Sequence, residues 1–340
     1  MTRIRTMEEF ASRSGLSRPT VSKYFQDPDS VRASTRARIE AALTRYDYRP
    51  NVYAINQNRR LTKNVGVLVP LLSDPFFSKI ARTIERLCVA EGFQPILLSS
   101  NGEREQEVEN LRTLLSLKPA GLLLAPLGRG SDATAVAEMA AEVPTVLFDS
   151  DLDGIGGGYV GLDVEDSVST MVDYLCRGGT PPCLFEMRDA PNPNARRRRA
   201  AFEAAMGRLG HDPRVISVPG QNWDFEETGL REGGALIAAR ALPETVLCSN
   251  DRLAIGLLAA AYQNGLRVGI GAGCALRVAG HDDHPFARYT CPPLTTISQD
   301  YEAIAGAALG MLREAIASGR PPEAKEKVLC PGRLMMRASA

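Results

Sequence analysis

The residues able to do chemistry fall into three groups. Positions 1–63 hold 13 Lys or Arg against 6 Asp or Glu, a local net charge of +7, while the other 277 residues hold 27 against 34. Lys and Arg bind a phosphate backbone by displacing its counterions, so a basic head on an acidic body suits a polyanionic partner; a solvated charged face is the alternative that charge alone leaves open. Gly156, Gly158 and Gly161 spell GxGxxG, but the run leads into a strand instead of joining strand to helix, so the context for a dinucleotide is missing. His281 and His284 flank Asp282 and Asp283 in a metal-like cluster, yet the chain has only 3 histidines and the run reads as a turn. There is neither a P-loop nor a GxSxG elbow. The expectation is no catalytic residue, no metal and no cofactor.

At 340 residues with 44% apolar and 24% charged side chains, the chain has the profile of a folded globular protein of two or three units. Disorder, collagen and coiled coil are excluded. The longest apolar runs, such as Leu253 to Tyr262, have about ten residues, short of the ~18 that a membrane span needs. Glu8 and Glu9 interrupt the N-terminal region, which does not read as a signal peptide, and 7 scattered cysteines without CxxC spacing read as reduced thiols. Both point to a cytoplasmic chain.

Three short helices must position the basic head. Met7, Phe10 and Ala11 form one apolar face ending at Gly15, which suits a left-handed cap. Ser17 can cap a second helix, Pro19 tolerates its first turn, and Val21 and Phe25 face inward, which leaves Arg18, Thr20, Ser22 and Lys23 outside. Ile39, Ala42, Leu43 and Tyr46 supply a third wall. Helix, turn, helix and supporting helix is the arrangement whose second helix enters a DNA major groove.

The run from Met7 to Phe25, MEEFASRSGLSRPTVSKYF, with Tyr48-Arg-Pro-Asn51, resembles the head of the LacI/GalR family of bacterial transcription regulators and its "DVAxxAGVSxxTVSRxLN" and "GYxPN" signatures. The resemblance extends through nearly the whole chain. It implies base reading by Arg18, Pro19 and Lys23, with backbone contacts from Thr6, Ser17, Thr20, Ser22 and Gln26 and further DNA contacts from Tyr48 and Asn51. Pro19 has no side-chain donor, so Arg18 and Lys23 would carry most direct readout. In the family the following linker orders on DNA and wedges a leucine into the minor groove; here Gln57 stands at that position and Ile55 where Arg or Gln is common. Gln57 wedges poorly, so either the kink is weaker or an apolar neighbour substitutes; a plain basic tether is the alternative.

Beyond the linker, apolar runs at 65–69, 95–98, 121–125 and 145–148 alternate with amphipathic segments near 76–91, 103–117 and 132–142. A second series of strands follows at 158–162, 182–185, 215–218, 245–248 and 276–279. The expected fold is an all-α helix-turn-helix head plus an α/β body of two doubly wound parallel-sheet lobes, like a type I periplasmic binding protein. The domains are expected at 1–49 (head), 50–63 (linker) and 64–340 (effector binding and dimerisation). Lobe 1 should take about 64–157 and 294–325, and lobe 2 about 158–293 and 326–340, with three crossovers as in the family.

Ligands of such sheets bind beyond the carboxyl ends of the strands. By likeness to the family motifs, Ser73 to Phe77, Arg198 four before Phe202, Asn250-Asp251 and Gly280 to Asp283 nominate Asp74, Phe76, Phe77, Arg198, Asn250 and Asp282 as effector contacts, with Asp149 and Trp223 beside them. Carboxylates, an Arg and aromatic faces suit a polyhydroxylated ligand. Of the run Arg196 to Arg199 only one member need face the cleft. The function implied is a DNA-binding regulator, a repressor, controlled by a sugar-like effector and binding a pseudo-palindromic double-stranded operator as a homodimer. A cytoplasmic small-molecule-binding protein or an enzyme with a cleft site is the competing reading. No C-terminal leucine heptad is visible, which leans towards a dimer over a tetramer.

Overall fold

The computed structural model describes residues 4, 6–26, 28–48, 62–191, 194–220, 222–319 and 324–340. Most of the expected linker lies outside them, with Asn51, Ile55 and Gln57, and so does the side chain of Gln26. The chain divides into two compact units, Met1–Thr62 and Lys63–Ala340.

In the first unit α1 (Met7–Ser14) starts where the Thr6 hydroxyl accepts the Glu9 N–H at 3.1 Å. It ends at Gly15, whose φ of 66° is open to a residue without Cβ. Helix α2 (Arg18–Gln26) begins with the Ser17 hydroxyl accepting the Thr20 N–H at 3.3 Å. Helix α3 (Ala33–Tyr46) closes the core, in which Phe10, Ala11, Val21, Ile39 and Ala42 are buried. Full burial of a large apolar side chain contributes about 1.5–3 kcal/mol, which a head this small cannot spare. Tyr48, expected at the DNA, stacks its ring on Phe10 at 4.6 Å and is only 5% exposed. Its ring is therefore a member of the apolar core, because the stretch after α3 folds back across Phe10.

The second unit holds two parallel sheets. The first lobe is built from β1 (Asn64–Val69), α4 (Pro75–Ala90), β2 (Gln94–Ser99), α5 (Arg104–Ser116), β3 (Gly121–Leu124), α6 (Ala133–Glu142), β4 (Thr145–Phe148) and β5 (Gly158–Leu162). The second follows with α7 (Val164–Arg177), β6 (Cys183–Met187), α8 (Ala195–Arg208), β7 (Arg214–Val218), α9 (Phe225–Ala238), β8 (Thr245–Cys248), α10 (Asp251–Gln263) and β9 (Arg277–Ala279). The chain then runs through β10 (Thr296–Ser298), α11 (Tyr301–Ser318), β11 (Glu326–Cys330) and β12 (Arg333–Met335). The larger sheet has the order β11-β5-β4-β3-β1-β2 and the smaller β7-β6-β8-β9, with every pair parallel. Central strands such as β3 and β4 are buried on both faces, as helices on both sides of a sheet require.

Three details differ from the sequence reading. Strand β5 pairs with β4, Val146 opposite Gly158, so the first lobe runs through residue 162 and not 157. Strand β11, expected in the second lobe, pairs with β5 along its whole length and extends the first sheet. Strand β10, expected in the first lobe, instead pairs antiparallel with β12, while Thr295 bridges Ala279 and Ser298 bridges Asp282 at the edge of the second sheet. Short crossing strands carry no periodicity long enough to assign them a partner, whereas α11 packs on α4 and on β3 to β5 as a first-lobe helix.

Candidate DNA-reading head and effector pocket

In the head, Arg18, Pro19 and Lys23 are exposed on α2 and Ser22 is half-buried. Ser17 and Thr20 share a hydroxyl–hydroxyl bond of 2.7 Å beside the N-terminus of α2, and one hydrogen of the pair remains able to turn outward. The underside of α2 is fixed by Val21, which is fully buried. The arrangement offers two cations and several hydroxyls on one helix end, with the apolar residues turned away.

In the body, all eight nominated residues, Asp74, Phe76, Phe77, Asp149, Arg198, Trp223, Asn250 and Asp282, line one pocket of about 500 Å³ including open solvent. Each stands just beyond the carboxyl end of a strand or at the helix that follows it. Asp74 caps α4, one carboxylate oxygen accepting the Phe76 N–H at 2.9 Å. Asn250 caps α10 by accepting the Leu253 N–H at 2.8 Å, and its side-chain NH2 is left for a ligand. Capping and ligand binding use different atoms of the same amide.

Arg198 is the centre of the pocket's electrostatics. It is 4% exposed and grips Asp282 in a fork, Nη1 to Oδ2 at 3.2 Å and Nη2 to Oδ1 at 2.5 Å, while Nη1 also donates to the Ser249 carbonyl at 2.7 Å. Its Nε is buried without a partner among the described residues. Asp282 further accepts from Gln299 Nε2 at 2.9 Å and faces His281 Nδ1 at 3.3 Å. Burial would raise the Asp282 carboxyl, but Arg198 and His281 outweigh it and hold the group at about 2. Burial and the same guanidinium push His281 down to about 4, so its ring is neutral and donates from Nδ1. Asp282 keeps a φ of 115°, which only a heavily bonded residue sustains. Gly280 is required nearby, because a Cβ there would lie 2.1 Å from Asp251 Oδ1.

Asp149 sits opposite, its carboxylate accepting from Asn194 Nδ2 at 3.0 Å. Burial pushes it up to about 7, with Arg198 opposing and the Asp282 and Asp74 charges adding to the rise. Aromatic faces complete the walls: Phe76 lies 5.6 Å from Tyr301, and Trp223 meets Phe77 and Phe225 edge-on at 6.1 Å each. Arg196, Arg197 and Arg199 point away from the pocket and are exposed, as the helical period requires.

Sequence reasoning missed Asp251, Arg252, Phe225, His284, Gln299 and Tyr301, which also line the pocket. Arg252 crosses between lobes, pairing with Asp74 at 3.0 Å and forking onto Glu226 at 2.7 Å through both nitrogens. The signal for Asp251 and Arg252 was their place directly after Asn250; Gln299 and Tyr301 had none, because the crossing strand before them had been assigned otherwise. His284, weighed as a metal ligand, instead turns its ring to the pocket and accepts the Phe286 N–H at 3.1 Å through Nδ1. Among the described residues no group of three His, Cys, Asp or Glu is placed to hold a metal ion.

Residues 6–51 match the family described as bacterial regulatory proteins, lacI family, and residues 175–340 match the periplasmic binding protein-like domain. The chain carries a lacI-family DNA-binding domain and a periplasmic binding protein-like domain. The chain is 29% identical over 343 residues to the ribose operon repressor of Escherichia coli (strain K12), covering 98% of the one and 99% of the other. It is 26% identical to the HTH-type transcriptional repressor PurR of Pectobacterium carotovorum subsp. carotovorum (strain PC1), over 93% of this chain and 91% of that one. Its fold is that of the Lac repressor bound to ONPG, with a TM-score of 0.83 at 24% identity over the full length of both chains. Its head is thus a lacI-type DNA-binding domain, and its body is built like a periplasmic binding protein of two lobes. No helix of the described residues is long and apolar enough to cross a membrane.

Proposed function

We propose that the chain is a one-component repressor of transcription that binds a pseudo-palindromic double-stranded DNA operator as a homodimer and is controlled by a small neutral sugar, ribose or a close relative, held in the pocket around Arg198. The observation that carries the sugar reading is the buried fork of Arg198 on Asp282 beside the unpartnered Arg198 Nε and the free Asn250 NH2. Those donors, the Asp149 and Asp74 acceptors and the aromatic faces suit vicinal hydroxyls above an apolar ring face. The ribose operon repressor, similar along its whole length, supports the choice of sugar.

Arg18 and Lys23 are the base-reading residues in this proposal, with Thr6, Ser17, Thr20 and Ser22 on phosphates. The linker residues Asn51, Ile55 and Gln57 lie at DNA-contacting positions by likeness to the family, and Gln57 in place of a leucine makes a weaker minor-groove wedge. The effector acts by favouring one spacing of the lobes, and can shift DNA affinity only by its differential affinity for the two states. The binding reading is supported by the pocket's carboxylates, which are engaged by Arg198, Arg252, Asn194 and backbone N–H groups. The site of action is the cytoplasm.

Gel retardation of a promoter fragment by the full chain, with and without ribose, tests the proposal. The expected result is a discrete shifted band that changes with ribose and weakens steeply with salt. Turnover of a sugar by the full chain, with no DNA retention, would favour the enzyme reading instead.

A further inference from the structure

The guanidinium of Arg252 meets three partners at the rim of the pocket. Its Nε and Nη2 fork onto the two Glu226 carboxylate oxygens at 2.7 Å each, its Nη1 donates to Asp74 Oδ2 at 3.0 Å, and it lies 5.4 Å from the centre of the Phe225 ring. The Glu226 side chain is 43% exposed and outside the pocket lining, whereas that of Asp74 is 9% exposed and belongs to it, so the bridge runs from solvent to the cavity wall. We propose that Arg252 is a specificity-determining residue of this pocket, a wall clasped across the two lobes that limits how large a sugar the closed lobes accept. This role presupposes that the pocket is the sugar site.

Two features separate Arg252 from Arg198, which grips. Each of the three Arg252 nitrogens already has a carboxylate oxygen, whereas the Arg198 Nε has no partner among the described residues, so Arg252 is held in place before anything binds. A side chain fixed in advance rejects what does not fit instead of adapting to it. The second feature is what fixes it. Glu226 stands in the first turn of α9 and Arg252 in the first turn of α10, and the two helices touch backbone to backbone beside them. A Cβ on Gly256 would lie 2.1 Å from the Glu226 carbonyl oxygen, and one on Gly229 would lie 2.3 Å from the Leu253 carbonyl oxygen. The fork on Glu226 therefore stays within the second lobe at any lobe spacing, and only the arm to Asp74 opens and closes. A sugar with one further group at that end must push Arg252 off Asp74, which leaves a buried carboxylate without its cation.

Trp223 lines the same pocket and is the chain's one tryptophan, so its fluorescence reports binding. The full chain is titrated with ribose and with two sugars that each add one group to it, methyl β-D-ribofuranoside at the anomeric oxygen and D-allose at C5. Wild type should bind ribose at least about tenfold more tightly than one or both of the larger sugars, as one extra carbon commands in a fitted pocket. In Arg252→Ala that preference should fall about tenfold through tighter binding of the larger sugar, a gain that a merely damaged pocket does not give. Glu226→Gln, which alters no residue of the pocket lining, should shift the preference the same way by freeing Arg252 from its fork. An unchanged preference in both variants, or a parallel loss of all three sugars in both, overturns the proposal while ribose binding by the wild type, and with it the sugar pocket, still stands. A wild type that responds to none of the three sugars overturns the sugar reading itself and this role with it.

Discussion

Replacing Arg198 with Met keeps much of the side chain's volume and removes the cation that forks onto Asp282. The Asp282 side chain is 17% exposed and would be left buried, ionised and short of two charged donors. Breaking a buried pair in this way costs about 3–5 kcal/mol. Asp282 is held at about 2 against an ordinary 3.8, which by itself corresponds to about 2 kcal/mol of that total. Its folded value lies below its unfolded one, so its contribution is present above about pH 4 and is lost as pH falls towards 2. In Arg198→Met burial is no longer opposed and the carboxyl moves up, so the penalty is largest near neutrality and shrinks in acid. Urea unfolding followed by Trp223 fluorescence reads the body alone, the head having no tryptophan. Adding Asp282→Asn should recover a large part of the loss, because a neutral amide tolerates the site. A loss under about 1 kcal/mol, typical of an exposed pair, or no recovery in the double variant, would refute the reasoning.

Asp149 and Asp251 are both raised by burial to about 7, so each contributes stability that is present below about pH 4 and lost as pH rises through 7. Asp149→Asn should therefore flatten the fall in stability between those limits, as measured by thermal unfolding across pH. Phe10→Ala removes a fully buried ring from the head, a loss of about 3–5 kcal/mol, and should abolish DNA retention while Trp223 still responds to ribose. Arg18→Ala should cost about 1–3 kcal/mol in operator binding and relax base preference at one position of each half-site, read by binding to a panel of single-base variants.

The sheet and helix order of the body was legible because each buried strand is a short apolar run and each helix repeats at its own period. The run Gly121 to Leu124 is buried throughout, and α7 alternates Val168, Met171, Val172 and Leu175 inward. The pocket was legible through likeness to the family's motifs, which nominated Asp74, Arg198 and Asn250; Asp74 and Asn250 also cap the helices that place them. What failed were positions whose role comes from distant chain. Tyr48 was expected at the DNA, and the packing of its ring on Phe10, 38 positions earlier, had no signal in the sequence. Arg252 reads as a solvated helix residue until the other lobe presents Asp74. Strand β11 is exposed along most of its length and buried only at Cys330, and only pairing with β5 shows its lobe.

Those same long-range contacts explain why the pocket can act as a switch within the body. Asp74 to Arg252, Asp149 to Asn194, Tyr159 to Arg197 and the Tyr301 hydroxyl to the Asp282 carbonyl all cross from one lobe to the other. A ligand that touched one lobe alone would bind equally well at every lobe spacing and shift nothing, however tightly it bound. Here Phe76 and Asp149 come from one lobe and Arg198 and Asn250 from the other, so an occupant loses about half its partners when the lobes part. Shifting a lobe equilibrium from 1:99 to 99:1 needs about 5.5 kcal/mol of differential binding. Two or three charge-assisted hydrogen bonds made only in the closed arrangement, at about 1.5–3 kcal/mol each, reach that figure. The Arg252 to Asp74 bridge works in the same direction without ligand, because it too is made only when the lobes are close.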